Sequence, residues 1–374
     1  MNIGVLREPS WENRVALLPD AVKAMVKLKC GVLVERSAGM GARMSDEKYE
    51  EAGAQVKDRE GVITGSDVVI KISLPGAEEL AHMRPGQVYL GVISPYTNLD
   101  LVKDMTSRGL TVFSMEIVPR ITRAQSMDIL SSMATVSGYK AVLEAACHLP
   151  VFFPMLMTAA GTIRPARVLV LGAGVAGLMA IATARRLGAV VEAFDVRSAV
   201  KEQVLSLGAK FIEVEGARED AAAGGYAVEQ TEEFIRKQQE LIHRHAVNSD
   251  VVICTAQIPG KRAPLLLTKK TVEAMQPVAV IIDLAASSGG NCELTRENET
   301  VIHNQVKIIG KSNCPSEMPT HASKMFGNNI VNFLKLMINS DGSLNLNFDD
   351  EIVRGTCVSH NGKIVNEKVK DLIK

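Results

Sequence analysis

The sequence has no net charge, no paired cysteines and no apolar run long enough to cross a membrane, and each absence excludes something. Lysine plus arginine number 42 and aspartate plus glutamate 42 in 374 residues. That balance leaves no basic footprint for nucleic acid and no polybasic anchor for a lipid surface. The six cysteines, at 30, 147, 254, 292, 314 and 357, form no CxxC pair, so neither a zinc site nor a dithiol redox motif is indicated. Scattered thiols without a signal-peptide pattern predict a reduced, buried, cytoplasmic setting. One uncharged apolar stretch, Val168–Ala184, lies between Arg167 and Arg185 and is broken by three glycines. It falls short of the roughly 20 apolar residues of a spanning helix, so any membrane role must come through a partner.

What is present is apolar material in a repeating order. Hydrophobic residues make up 47% of the chain, enough to fill the cores of about two domains at roughly 100–200 residues each. Ile3–Leu6, Val32–Glu35, Val68–Ile72, Val88–Ile93 and Thr111–Met115 read as strands, with helical patterns such as Pro19–Lys29 and Leu99–Arg108 between them. The pattern restarts with strands at Arg167–Leu171, Val190–Asp195, Lys210–Val214, Val251–Thr255 and Val278–Asp283, and helices at Ala176–Leu187 and Val200–Leu207. This alternation predicts an α/β fold: two Rossmann-like, doubly wound parallel-sheet domains with a cleft between them. A helix at Ser323–Met337 precedes short strands around Leu344–Phe348 and Ile352–Val358. These are too few to form a domain and are assigned back to the first sheet. The first domain is then discontinuous, 1–130 plus 318–374, and 131–317 is an inserted dinucleotide-binding domain, held by helices near 131–145 and 318–337.

One motif carries chemistry on its own. Strand Arg167–Leu171 runs into Gly172-Ala173-Gly174-Val175-Ala176-Gly177, and an amphipathic helix follows. Gly172 permits the tight turn, Gly174 admits a pyrophosphate close to the backbone, and Gly177 lets helix and strand pack closely. The helix N-terminus then offers oriented N–H groups and a partial positive charge. Asp195-Val196-Arg197 closes the next strand, with Asp195 eighteen residues after Gly177. A carboxylate there accepts from both adenosine ribose hydroxyls and repels a 2′-phosphate, which predicts NAD over NADP. Arg197 pulls the other way, because a nearby arginine can accommodate that phosphate. The competing interpretation is a small-residue turn with no ligand; strand, three glycines, helix and acid together argue against it. Gly39-Met-Gly41 lacks that context and is not a second fingerprint.

Beyond the fingerprint, several strings resemble the NAD(H)-binding component of proton-translocating nicotinamide nucleotide transhydrogenase. They are Pro119-Arg-Ile-Thr-Arg-Ala-Gln-Ser-Met-Asp-Ile-Leu-Ser-Ser132, Gly138-Tyr-Lys-Ala, Met157-Thr-Ala-Ala-Gly-Thr, Ala223-Gly-Gly-Tyr226, Ile258-Pro-Gly-Lys261 and Gly289-Gly-Asn-Cys292. The resemblance runs from Met1 to about Val365 and is shared in part by the alanine dehydrogenases. It implies that Arg120, Gln125, Asp128 and Ser131 surround the nicotinamide carboxamide and nearby ribose, with Tyr139 close behind. The chemistry suits this, since arginine or glutamine donors and a carboxylate acceptor match a carboxamide's one acceptor and two donors. By residue chemistry alone, the same string reads as a helix N-terminal turn with solvated charges. The resemblance also implies that Gly216–Tyr226 is a mobile loop closing over nucleotide with Tyr226; a plain surface loop before a helix at Val228–His245 is the alternative. By position Gly225, Gln238 and Gln257 line the nucleotide site, and Gln257 departs from the leucine common there.

Alanine dehydrogenases hold a substrate carboxylate with an arginine and a lysine and use a histidine and an aspartate for acid–base work. The cations are retained as Arg14 and Lys71, either as structural ion-pair partners or as remnants. The histidine is not: the sequence after Val88–Gly91 is Val92-Ile-Ser-Pro-Tyr, and Ser287 and Ser288 stand where the carboxylate is expected. General acid–base groups are worth typically 10²–10⁴-fold, and hydride exchange between two nicotinamides needs none. The resemblance therefore implies a subunit that passes hydride from NADH to NADP⁺ held on a partner. It further implies a homodimer, an NADP(H)-binding beta subunit and membrane-spanning subunits that couple transfer to proton movement. The chain would sit peripherally on the cytoplasmic face of the inner membrane. A self-sufficient amino-acid dehydrogenase and a non-catalytic NADH sensor are the alternatives.

Overall fold

The computed structural model describes residues 1–214, 231–258 and 261–373. The chain divides into two compact units, Met1–Met133 with Pro315–Lys374, and Ala134–Cys314. The first begins β1 (Asn2–Val5), α1 (Pro19–Lys27), β2 (Gly31–Glu35), α2 (Asp46–Glu51), β3 (Gln55–Lys57) and α3 (Arg59–Gly65). It continues with β4 (Val68–Lys71), α4 (Ala77–His82), β5 (Val88–Gly91), α5 (Leu99–Ser107) and β6 (Thr111–Ser114). Helix α6 (Ile129–His148) leads to the second unit, where the hairpin β7 (Leu156–Thr158) and β8 (Gly161–Ile163) precedes β9 (Arg167–Leu171) and α7 (Val175–Arg186). Then come β10 (Val190–Phe194), α8 (Lys201–Ser206), β11 (Lys210–Ile212), α9 (Glu232–Ala246) and β12 (Val251–Cys254). That unit closes with α10 (Lys269–Ala274), β13 (Val280–Asp283), β14 (Thr300–His303) and β15 (Val306–Gly310). The chain returns to the first unit as α11 (Pro319–Leu334), α12 (Glu351–Thr356), β16 (Cys357–His360), β17 (Lys363–Ile364) and α13 (Glu367–Ile373).

The first sheet has the order β3-β2-β1-β4-β5-β6-β16-β17 and the second β11-β10-β9-β12-β13-β15-β14. Both are parallel except at one edge, where β16, β17 and, in the second sheet, β14 run antiparallel. The inner strands are apolar without interruption because helices cover both faces and leave no wet side. Every residue of β4, β5, β12 and β13 is buried. Alternate residues of β9 serve two cores: Val168 and Val170 pack with Ala180 and Ile181 of α7, while Leu169 and Leu171 pack with Ile242 and Ala246 of α9. In each sheet the strand order reverses beside the first strand, β1 or β9, and ligands of open α/β sheets bind at such points, beyond the strands' carboxyl ends.

Three expectations are corrected. Leu344–Phe348 forms no strand; its only ladder contact is an isolated bridge between Ile338 and Leu344. Ile352–Val358 is helix α12 followed by β16, because Asp350 accepts a hydrogen bond from Ile352 N at 2.8 Å and caps a helix over β-branched residues. Cys147 is exposed while the other five cysteines are buried; on α6 it points away from the face that buries Ala141 and Ala145. The expected edge placement stands for the last strands, since β16 pairs with β6. Among the described residues no helix is long and apolar enough to cross a membrane.

Candidate functional site

The turn after β9 is built by steric demand. Gly172 has φ +102°, and its N–H reaches the Phe194 carbonyl at 2.8 Å, tying the turn to β10. A Cβ there would lie 2.6 Å from Thr255 Oγ1 and 3.1 Å from Ala256 N. A Cβ on Gly177 would collide with the Gly172 carbonyl oxygen. Gly174, which caps α7, is different: its nearest neighbour would be Arg197 Nη2 at 4.0 Å. The turn is therefore crowded on its strand side and open at Gly174. Val175, the first helical residue, is exposed, and the first turn of α7 holds no acidic residue to offset its positive end.

Asp195 follows β10 and is buried. Its Oδ2 accepts from Ala173 N at 2.7 Å and Arg197 Nη2 at 2.8 Å, and its Oδ1 from Arg197 N and Nε, each at 2.9 Å. These bonds lock the acid to the glycine turn and raise the Arg197 pKa. Val196 is half-buried between them.

Three residues the sequence did not single out complete this end of the sheet. Thr255 Oγ1 donates to the Gly172 carbonyl at 3.0 Å. Asn291 grips Ala256 from both sides, accepting from its N at 3.0 Å and donating to its O at 2.9 Å. Asp283, fully buried, accepts from the N–H groups of Ala285, Asn291 and Cys292 and from Thr295 Oγ1. Its place at the end of a buried strand before Ser-Ser-Gly-Gly-Asn was the available signal. Gln257, exposed on the same loop, donates from Nε2 to Leu284 O at 2.9 Å. Gln238 is buried on α9. Gly225 and Tyr226, with the rest of the expected loop 216–226, lie outside the described residues.

The 119–132 string forms a 3-10 turn over Thr122–Met127, then enters α6. Asp128 sits just before the helix: Oδ1 accepts from Ser131 N at 2.9 Å and Oδ2 from Ser131 Oγ at 2.6 Å. Asp128 and Ser131 are thus brought together, half-buried, while Arg120 and Gln125 are exposed. Further along α6, a Cβ on Gly138 would collide with the Ala176 carbonyl oxygen. That close approach sets α6 against the start of α7, and Tyr139 stands 38% exposed beside it.

Both retained cations carry partners. Arg14 meets Glu12 at 2.6 Å (Nη2 to Oε2) and 2.8 Å (Nε to Oε1). Lys71 Nζ lies 2.8 Å from each Glu79 oxygen and 3.2 Å from Leu74 O, and is itself buried. After β5, the Ile93 N–H reaches Ser114 Oγ and the Ser94 N–H reaches Glu116. Burial pushes the Glu116 pKa up, against the hydrogen bond from Ser114. Among the described residues no cluster of His, Cys, Asp and Glu forms a metal site.

The comparisons fit this arrangement. The N-terminal domain of the alanine dehydrogenase/PNT family matches residues 4–137, and its C-terminal domain residues 141–367. In Rhodospirillum rubrum, the first of the chains that make up NAD(P) transhydrogenase subunit alpha is 47% identical over 364 residues, 95% of each chain. The crystal structure of transhydrogenase from Sinorhizobium meliloti has a TM-score of 0.90 and 43% identity, covering 98% of this chain and 100% of that one. Alanine dehydrogenase of Bacillus subtilis is 26% identical, over 99% of this chain and 94% of its own.

Proposed function

This chain belongs to the alanine dehydrogenase/PNT family, and we propose that it is the NAD(H)-binding subunit of proton-translocating NAD(P) transhydrogenase. The observation that carries this reading is a nucleotide turn in a chain whose sequence lacks the histidine after Val88–Gly91 and has Ser287 and Ser288 where a dehydrogenase carboxylate is expected. Gly172–Gly177 and Asp195 suit a dinucleotide: the turn is open at Gly174, the first turn of α7 is free of acid, and a buried carboxylate is hydrogen-bonded to the turn. The segment after β5, Val92-Ile-Ser-Pro-Tyr, has no histidine, and the two cations that would grip a carboxylate are paired with Glu12 and Glu79. When bound, NADH supplies a hydride from its ring C4 to C4 of NADP⁺ on the partner subunit, with no proton left over.

The chain's own residues hold and orient. The first turn of α7 takes the pyrophosphate and Asp195 the adenosine ribose. Val175, Ala176, Val196, Arg197, Gly225, Tyr226, Gln238 and Gln257 complete the nucleotide contacts, while Ser131 and Tyr139 stand by the nicotinamide end. Arg120 and Gln125 donate to the carboxamide and Asp128 accepts from it, fixing ring rotation. Holding C4 in one orientation is worth a large share of the rate, since a 1 Å misplacement can cost on the order of 10²-fold. A homodimer, an NADP(H)-binding beta subunit and membrane-spanning subunits complete the enzyme, on the cytoplasmic face of the inner membrane. The homodimer is supported by exposed Phe152, Met155, Met157 and Ile163 in and around the β7–β8 hairpin, a concentration of apolar surface unusual on a monomer.

The test is reconstitution with an NADP(H)-binding partner, followed by NADH-dependent reduction of NADP⁺. Wild type transfers hydride, whereas Gln125→Asn binds NADH tightly but transfers more slowly, by on the order of 10²-fold. Oxidation of alanine by the chain alone with NAD⁺ would sink the reading. Absence of transfer with a competent partner would favour a sensor.

A further inference from the structure

The main chain of the 3-10 turn is held by one unusual side chain. The Ser126 carbonyl receives Asn329 Nδ2 at 2.8 Å and Asn332 Nδ2 at 3.3 Å, both from α11. Asn329 is 5% exposed, and its Oδ1 is a buried oxygen with no hydrogen-bond partner, alone in this among the side-chain nitrogens and oxygens of the described residues. Such an orphan is costly and calls for a reason. Turning the amide over gives no relief, because its oxygen would then face the Ser126 oxygen. An apolar residue would avoid the cost and would suit a helix whose Phe326, Ile330 and Phe333 lie in the same core as Ala124 and Met127. What the amide supplies, and an apolar residue would not, is a short bond to the backbone one residue after Gln125 and two before Asp128.

A 3-10 turn is weakly held by its own hydrogen bonds. Here Ala124 and Met127 are buried, while Arg123 is tied at the surface to Asp350 at 2.7 and 2.9 Å. The Gln125 carbonyl accepts only a long bond from Asp128 N, at 3.3 Å, and it is the next peptide, joining Ser126 to Met127, whose carbonyl Asn329 holds. We propose that Asn329 is a positioning residue for hydride transfer, fixing through the Ser126 carbonyl the backbone on which Gln125 and Asp128 are mounted. The proposal rests on the reading that these two side chains face the nicotinamide.

The test uses the full chain reconstituted with its NADP(H)-binding partner, with Asn329→Leu, Asn329→Ala, Asn332→Ala and Gln125→Asn beside wild type. Single-turnover hydride transfer, the NADH dissociation constant and the melting temperature are measured separately. Asn329→Leu removes the orphan and keeps the volume, so it melts no lower than wild type. It nevertheless transfers hydride about tenfold more slowly or worse, with NADH affinity within about twofold. Asn329→Ala shows the same loss of rate at reduced stability, and Asn332→Ala, whose bond is longer, loses less. A purely structural role predicts the opposite pattern, with rate following melting temperature. Wild-type transfer by Asn329→Leu overturns the proposal, as does a parallel loss of NADH binding. If Gln125→Asn also transfers at the wild-type rate, the functional reading fails; if only Gln125→Asn is slow, the positioning role alone fails.

Discussion

Four donors converge on the two oxygens of Asp195, and the Arg197 side chain supplies two of them. A carboxylate offers about four acceptor positions, so a ribose diol must displace or share the bonds from Arg197 Nε and Nη2. The Ala173 and Arg197 backbone bonds stay, holding the acid at the turn. Hydrogen bonds to a charged group contribute about 1.5–3 kcal/mol, and about 1.4 kcal/mol is tenfold in affinity. Asp195→Asn is therefore expected to weaken NADH binding by tenfold or more and to narrow its lead over NADPH, read by fluorescence titration of both nucleotides. Unchanged affinity for both would remove Asp195 from the ribose site. The glycine turn and its acid were legible because each follows from a local requirement, a positive φ, a close approach or a charge at a strand end. Thr255 and Asn291 were not, because their partners, Gly172 and Ala256, are distant in sequence. Arg197 was visible as a cation but not as the partner of its own neighbouring acid.

Elements were legible where burial leaves one choice. β9 has the bounds read from its apolar run, and β4, β5 and β12 differ only at their ends. β3, three residues at a sheet edge with the pattern Gln-Val-Lys, gave no such run. α12 was misread because Ile352, Val353 and Thr356 favour strands, whereas a good cap contributes about 1 kcal/mol and decides a six-residue segment. That cap has a second partner: the hydrogen bond from Arg123 is the largest cause holding the Asp350 carboxyl at about 2. Its folded pKa lies below the unfolded value of about 3.9, so the stabilisation is complete above pH about 4 and lost as pH falls through about 2. The pair is partly exposed, with side-chain accessibilities of 49% and 18%, so solvent screens its contribution. Asp350→Asn should lower the melting temperature at pH 7, with the difference from wild type shrinking towards pH 2. A constant difference across that range would assign the effect to packing.

The whole molecule is asymmetric in how its units are written into the chain. Ala134–Cys314 is one continuous segment and contains a complete seven-stranded sheet with a core on each face. The other unit is closed only by residues from both ends of the sequence. β16 covers the edge of β6, and Phe326, Ile330 and Phe333 of α11 pack with Ile3, Val5 and Val15. Ser316 and Ser323 accept from the N–H groups of Asn13 and Val15 at 2.8 and 3.0 Å. A chain ending at 133 would lose these partners, exposing an open sheet edge and an uncovered apolar face; burying one large apolar side chain contributes roughly 1.5–3 kcal/mol, and marginal domains have about 5–15 to lose. Residues 134–314 alone should therefore unfold cooperatively in urea and, carrying the glycine turn and Asp195, bind ADP-ribose. Residues 1–133 alone should show no cooperative transition until 315–374 is supplied. A cooperative transition of 1–133 by itself would mean that the returning segment is an attachment to a finished core rather than a component of it.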